Sequence, residues 1–124
     1  MAATVTFSVE NNVWFLHAFH FGVLGDTSWS FTGKHFLCDL KSDPSVTKPD
    51  LSLSSLTPSP ATILVLDPVV RVLQFNVTDL LIRSKLQLGP YQFDLIMVDN
   101  VTGERDTLMS GTITVDQGVT LTGD

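Results

Sequence analysis

Residues 4–9 alternate strictly, with Val5, Phe7 and Val9 on one parity and Thr4, Thr6 and Ser8 on the other. A period of two is that of a strand buried on one face. After a turn at Asn11-Asn12, the pattern predicts a second strand over 13–21. There Val13, Phe15, His17, Phe19 and Phe21 share one parity, and Trp14, Leu16, Ala18 and His20 share the other. Both parities are largely apolar, which implies a central strand or one whose second face a partner covers. A third strand is expected over 34–41, with Phe36, Cys38 and Leu40 alternating against His35, Leu37 and Asp39. Leu51 and Leu53 mark a short edge strand, closed by the breaker Thr57-Pro58-Ser59-Pro60.

Two further strands are expected over 61–66 and 69–77, joined at Asp67-Pro68. In the second, Arg71 shares its parity with Val69, Leu73, Phe75 and Val77. Residues 78–86 are the one helical candidate, with Thr78 or Asp79 as N-cap and room for one or two turns. Tyr91, Phe93, Leu95 and Met97 alternate against Gln92, Asp94, Ile96 and Val98, giving the strongest strand signal. The hairpin connection 99–104 leads into a last strand over 105–115, followed by a tail from Gln117 that lacks charge until its last residue, Asp124. Seven or eight short strands at this spacing predict one all-β sandwich domain over 1–124, with a C-terminal tail from about 117 to 124.

Composition changes this picture in two ways. The 124 residues are 44% hydrophobic but only 16% charged, well under the usual quarter. A surface partly covered by a partner and a β-rich surface clothed in threonine both fit that shortfall. The net charge of −6 would be repelled by phosphate backbones, and no run of Lys or Arg offers a footprint, so neither nucleic acid nor an anionic membrane is an expected partner. Cys38 is the only cysteine, so no intrachain disulfide can form. The N-terminus lacks a signal-peptide pattern, and no apolar run approaches the ~20 residues of a membrane span. A chain made in a cytoplasm is expected, and Asn76-Val77-Thr78 and Asn100-Val101-Thr102 then read as turn residues rather than glycan acceptors.

Candidate chemistry is sparse. His17 and His20, three apart on a strand, point to opposite faces and cannot share a metal; His17 and His35 are expected as hydrogen-bonded residues in or near the core. Cys38 lies in the apolar run Phe36-Leu37-Cys38-Asp39-Leu40, a setting for a buried hydrophobe and not for a reactive thiolate. Asp94 has no second carboxylate at a fixed spacing and is expected as a hydrogen-bonded acid on the sheet face. No catalytic residue, metal ligand or cofactor is expected. Leu88-Gly89-Pro90-Tyr91 suits a tyrosine corner, in which the phenol bonds backbone where a strand enters the sandwich. Gly89 permits positive φ, Pro90 fixes φ without a donor, and Gly111 is expected at a bulge.

The segments Gly89-Pro90-Tyr91-Gln92-Phe93-Asp94-Leu95, 98–104, Gly111-Thr112-Ile113-Thr114-Val115 and Val119-Thr120 resemble a recurring pattern in structural proteins of tailed bacteriophages. The family resembled is the immunoglobulin-like β-sandwich of baseplate and fibre-attachment subunits, also found as small free-standing virion proteins. The resemblance covers less than half the chain, and the aromatic stretch 13–21 departs from it. It implies an immunoglobulin-like antiparallel sandwich that acts without catalysis as an adaptor at a tail, collar or fibre attachment site. Its expected partners are other virion proteins, with symmetric copies of itself in the assembly, and its expected location is the virion, after synthesis in the bacterial host cytoplasm. A capsid decoration protein is the alternative within that class. A carbohydrate-binding module using Trp14, Trp29 or Tyr91 is the alternative outside it. The expected contact residues are Trp14, Leu16, Phe19 and Phe21 in the aromatic strand and Val119 and Leu121 in the tail.

Overall fold

The computed structural model describes residues 3–11, 13–22, 29–43, 45–56 and 62–118. Eight strands and one helix follow in the order β1 (Ala3–Glu10), β2 (Phe15–His20), β3 (Lys34–Lys41), β4 (Leu51–Ser54), β5 (Ile63–Asp67), β6 (Val72–Val77), α1 (Asp79–Lys85), β7 (Gly89–Asp99) and β8 (Arg105–Asp116). They form an all-β sandwich of two sheets, β1-β8-β7-β3-β4 and β2-β6-β5. All pairings are antiparallel except β1 with β8, which is parallel. Apart from β1, the orders β8-β7-β3-β4 and β2-β6-β5 are those of strands G-F-C-C′ and B-E-D in a variable-type immunoglobulin sandwich.

Period-two alternation sets the core. In β6 the burial alternates so that Leu73, Phe75 and Val77 point inward, and in β7 Tyr91, Phe93, Leu95 and Met97 do the same. These meet Phe36, Cys38 and Leu40 of β3 and Met109, Ile113 and Val115 of β8. The helix fills the connection between β6 and β7. Thr78 is its N-cap: the hydroxyl accepts the Leu81 amide at 3.1 Å, and Ile82 is its buried residue.

Three local devices fix the sheet geometry. The Tyr91 hydroxyl accepts a bond from the Gln87 amide at 2.6 Å and donates to the Gln87 carbonyl at 3.1 Å, closing a tyrosine corner at the entry to β7. Gly89, at the start of that strand, has φ +127°. Gly111 serves a purpose other than the expected bulge. The register shift of β8 falls opposite Leu95 and Ile96, whereas Gly111 lies where β1 crosses closest: a Cβ there would stand 1.7 Å from the Val5 carbonyl oxygen.

The turn between β5 and β6 also falls later than its Asp67-Pro68 signal predicts. It occupies residues 68–71, with Arg71 at φ +64° and almost fully buried. The guanidinium donates to the carbonyls of Phe21 at 2.8 Å, Trp29 at 2.9 Å and Val69 at 3.3 Å, and stacks 4.8 Å from the Trp29 ring centroid. A buried cation is tolerable because it is bonded and faces a π system.

Candidate interaction face

Each sheet has one face turned to solvent, and the two differ in chemistry. On the five-stranded sheet the outward residues include Thr4, Thr6 and Ser8 of β1, Thr112 and Thr114 of β8, Gln92 and Asp94 of β7, Asp39 and Lys41 of β3, and Ser52 of β4, with the half-buried pair Leu37 and Ile96 opposite each other among them. Asp39 and Asp94 stand directly opposite each other. Like charges so placed repel, and the Ser52 hydroxyl donates to Asp39 at 2.7 Å. Asp94, expected as a hydrogen-bonded acid, is exposed beside Asp39, and among the described residues its carboxylate makes no hydrogen bond. A concavity of about 960 Å³ lies over this face, bordered by Asp39, Asp94, Gln92 and Arg105 and by the apolar pair Leu37 and Ile96, and no aromatic ring is exposed in it.

The outward face of the three-stranded sheet is apolar and nearly uncharged. Of the residues in β2, β5 and β6, Asp67 alone carries a formal charge. Its carboxylate accepts the amides of Val69 at 3.0 Å and Val70 at 3.1 Å and so belongs to the turn. Register places Leu16 beside Asn76, Gln74 between Ala18 and Leu64, and His20 beside Val72. The large side chains are open: Trp14 is 52% exposed, Leu16 51% and Leu66 51%. Trp14 is held in place, since its Nε1 donates to Asn76 Oδ1 at 2.8 Å. The face continues at one end into exposed Val69 and Val70, on the turn that Arg71 anchors. At the other end it reaches Leu80 of α1, exposed beside a shallow depression of about 340 Å³ that Thr62 and Asn76 also border.

The contact residues expected from sequence therefore separate. Trp14 and Leu16 are on this outward face. Phe19 and Phe21 are not: Phe19 turns inward against Phe7 at 5.3 Å and Phe75 at 5.1 Å, and Phe21 lies half-buried 6.0 Å from Phe31. The reading of 13–21 as a central strand also falls, because β2 is an edge strand among the described residues. Val119 and Leu121 lie outside the described residues. Leu64, Leu66, Val69, Val70 and Leu80, which sequence analysis did not single out, join Trp14 and Leu16.

The candidate chemical groups are dispersed. His17 is exposed on the inward parity of β2, 5.1 Å from the Phe7 ring and 4.6 Å from the Phe19 ring, rather than hydrogen-bonded in the core. His20 is on the outward face. His35 shares a 2.6 Å hydrogen bond with Asn100 Oδ1 at the far end of the molecule. Cys38 is 1% exposed; burial raises its thiol pKa far above the ordinary range, and the charges of Asp94 and Asp39 add to the effect. Among the described residues no three His, Cys, Asp or Glu side chains converge as a metal would need, and no helix is long and apolar enough to cross a membrane.

No protein-family model matches the chain, and no curated protein matches it.

Proposed function

We propose that this protein is a non-enzymatic structural subunit of a phage virion, an adaptor that docks on a neighbouring virion protein through the outward face of its three-stranded sheet. The observation that carries this reading is the contrast between the two sheets. One is clothed mainly in Thr, Ser, Asp and Lys, as a solvated face is, with Leu37 and Ile96 as a single apolar pair among them. The other presents Trp14, Leu16, Ala18, Leu64, Leu66 and Val72 around two uncharged amides. Contiguous apolar surface of this kind marks contact sites on soluble chains. Charge depletion is the composition of an interface centre, and Trp14 is the kind of anchored ring that dominates binding energy there. The motifs of β7 and β8 supply the phage assignment, through their resemblance to baseplate and fibre-attachment sandwiches.

The test is incorporation. Trp14→Glu and Leu16→Glu each put a charge on an exposed site, so the isolated domain should keep its wild-type circular dichroism and melting temperature. Particles assembled in a host cell with either variant should lack the subunit. Normal occupancy of both variants would overturn the reading, and binding of Trp14 to an immobilised glycan would favour a carbohydrate-binding module instead.

A further inference from the structure

The two ends of the sandwich differ as much as its two faces. At one end stands the β7–β8 hairpin, whose tip is held by a set of hydrogen bonds. The Asp99 carboxylate accepts the amides of Val101 at 2.8 Å and Thr102 at 3.0 Å and takes the Lys34 ammonium at 2.6 Å. The Gly103 amide donates to the Asp99 carbonyl at 2.9 Å, and the Asn100 amide to the Gly33 carbonyl at 3.0 Å. On this fixed turn Val101 is 92% exposed, more than any other large apolar side chain among the described residues. A braced turn that holds an apolar side chain out in water has the form of a binding knob, since the ordering that association costs is already in place. Glu104 and Asp106 follow it, both exposed and in no ion pair among the described residues. Arg105, between them, borders the concavity on the five-stranded sheet instead.

The opposite end holds a socket of matching chemistry. There Leu40 of β3 pairs with Leu51 of β4 and with Phe93 of β7, ~20 Å along that strand from Asp99. A groove of about 490 Å³, within the size range of ligand sites, lies between β4 and α1. Buried Leu51 and half-buried Pro49 and Leu81 form its floor, and the exposed Lys48 and Lys85 its rim. Elsewhere Lys34 and Arg83 are ion-paired and Arg71 is buried; Lys48 and Lys85 enter no ion pair among the described residues, in a chain of net charge −6. Asp50 also borders the groove, but its carboxylate accepts the Ser42 amide at 2.8 Å, and the two ammonium groups outweigh it.

We infer that this groove accepts the β7–β8 hairpin of a second copy of the chain, with Val101 seated on the floor of Leu51 and Leu81 and with Glu104 and Asp106 facing Lys48 and Lys85. The occupant is a second copy because the chain itself carries the complement. An apolar knob beside two carboxylates meets an apolar floor beside two ammonium groups, and such pairing of opposite charge fixes partner and register. A copy cannot fill its own groove, since the length of the sandwich separates the two. Knob and socket are different surfaces at opposite ends, so the contact is head-to-tail, and its repetition closes a ring or extends a filament. Both are built from described residues, and the inference stands apart from what covers the outward face of the three-stranded sheet.

The experiment combines disulfide trapping with charge exchange in the full chain, where buried Cys38 stays silent. Val101→Cys and Lys85→Cys alter exposed positions, so circular dichroism should match wild type. Mixing the two variants under mild oxidation should yield a covalent dimer. Val101→Cys/Lys85→Cys in one chain should yield a ladder of multimers or a closed ring, because the two ends lie too far apart for an internal disulfide. Lys85→Glu and Glu104→Lys should each weaken self-association at least tenfold in sedimentation velocity, and the two together should restore it. Trp14→Glu should leave every one of these results unchanged, which separates this contact from the docking face. The inference is overturned if either cysteine variant alone links as fully as the mixture, if the double-cysteine chain stays monomeric, or if the double charge exchange fails to restore association. It is equally overturned if the wild-type chain stays monomeric throughout a concentration series; should Lys85→Glu then be lost from assembled particles, the groove takes a different virion protein.

Discussion

Tyr91 both donates to and accepts from the backbone of Gln87, so removing its hydroxyl leaves an amide and a carbonyl without that partner. Tyr91→Phe should cost about 1–3 kcal/mol, read as a lower denaturant midpoint with an unchanged slope. Gly111→Ala should cost about 3 kcal/mol or more, the upper end of overpacking, because the obstacle to its Cβ is the Val5 backbone and not a movable side chain. Cys38 should resist alkylation in the native protein at pH 8 and react at once in denaturant, since burial holds its thiol protonated. The tyrosine corner and the buried cysteine are legible in sequence, because each sits in a run with its own signature. The task of Gly111 is not legible: a close approach between β1 and β8 depends on a pairing across more than a hundred residues. Arg71 left a partial trace, sharing its parity with Leu73 and Phe75, but a positive charge on a core parity does not announce the carbonyls it will bond.

At the scale of elements, alternation locates strands well where one face is polar. β3 and β7 fall where their patterns predict, and α1 lies inside its expected window with the cap on Thr78. Alternation fails to rank the two faces of β2, because both are apolar. Only the packing of Phe7 against Phe15, His17 and Phe19 shows which parity turns inward. The β5–β6 turn is misplaced in the sequence reading because Val69 and Val70 look like strand residues, yet Asp67 binds their amides into the turn. The β7–β8 hairpin carries a pH dependence. The Asp99 carboxyl is held well below the usual carboxylate range by the Lys34 ammonium at 2.6 Å, then by the amides of Thr102 at 3.0 Å and Val101 at 2.8 Å. A carboxyl depressed in the folded state stabilises above its unfolded pKa of about 4, and that contribution fades as pH falls toward the folded value. Asp99→Asn should therefore lower the melting temperature near neutrality and flatten its decline below pH 4. Parallel acid limbs for variant and wild type would contradict this.

The whole molecule sets a polar five-stranded face against an apolar three-stranded one, and this asymmetry is the basis for reading the chain as an assembly subunit. Sequence carried a trace of it in the low charge density and the two-faced pattern of 13–21. It could not show that Leu64, Leu66, Val70 and Leu80 gather with Trp14 and Leu16, since their adjacency is created by the order β2-β6-β5 and by the placement of α1. It also grouped Phe19 and Phe21 with the contact residues, although the sandwich needs both for its own interior. The most direct measurement is a structure of the assembled particle, with the area each subunit loses to its neighbours resolved by face. The account predicts that the outward face of β2, β5 and β6 is covered around Trp14, over ~800 Å² or more per subunit, the scale of a specific interface. A particle in which that face stays open to solvent, with the subunit held instead by its Asp39 and Asp94 face, would contradict it.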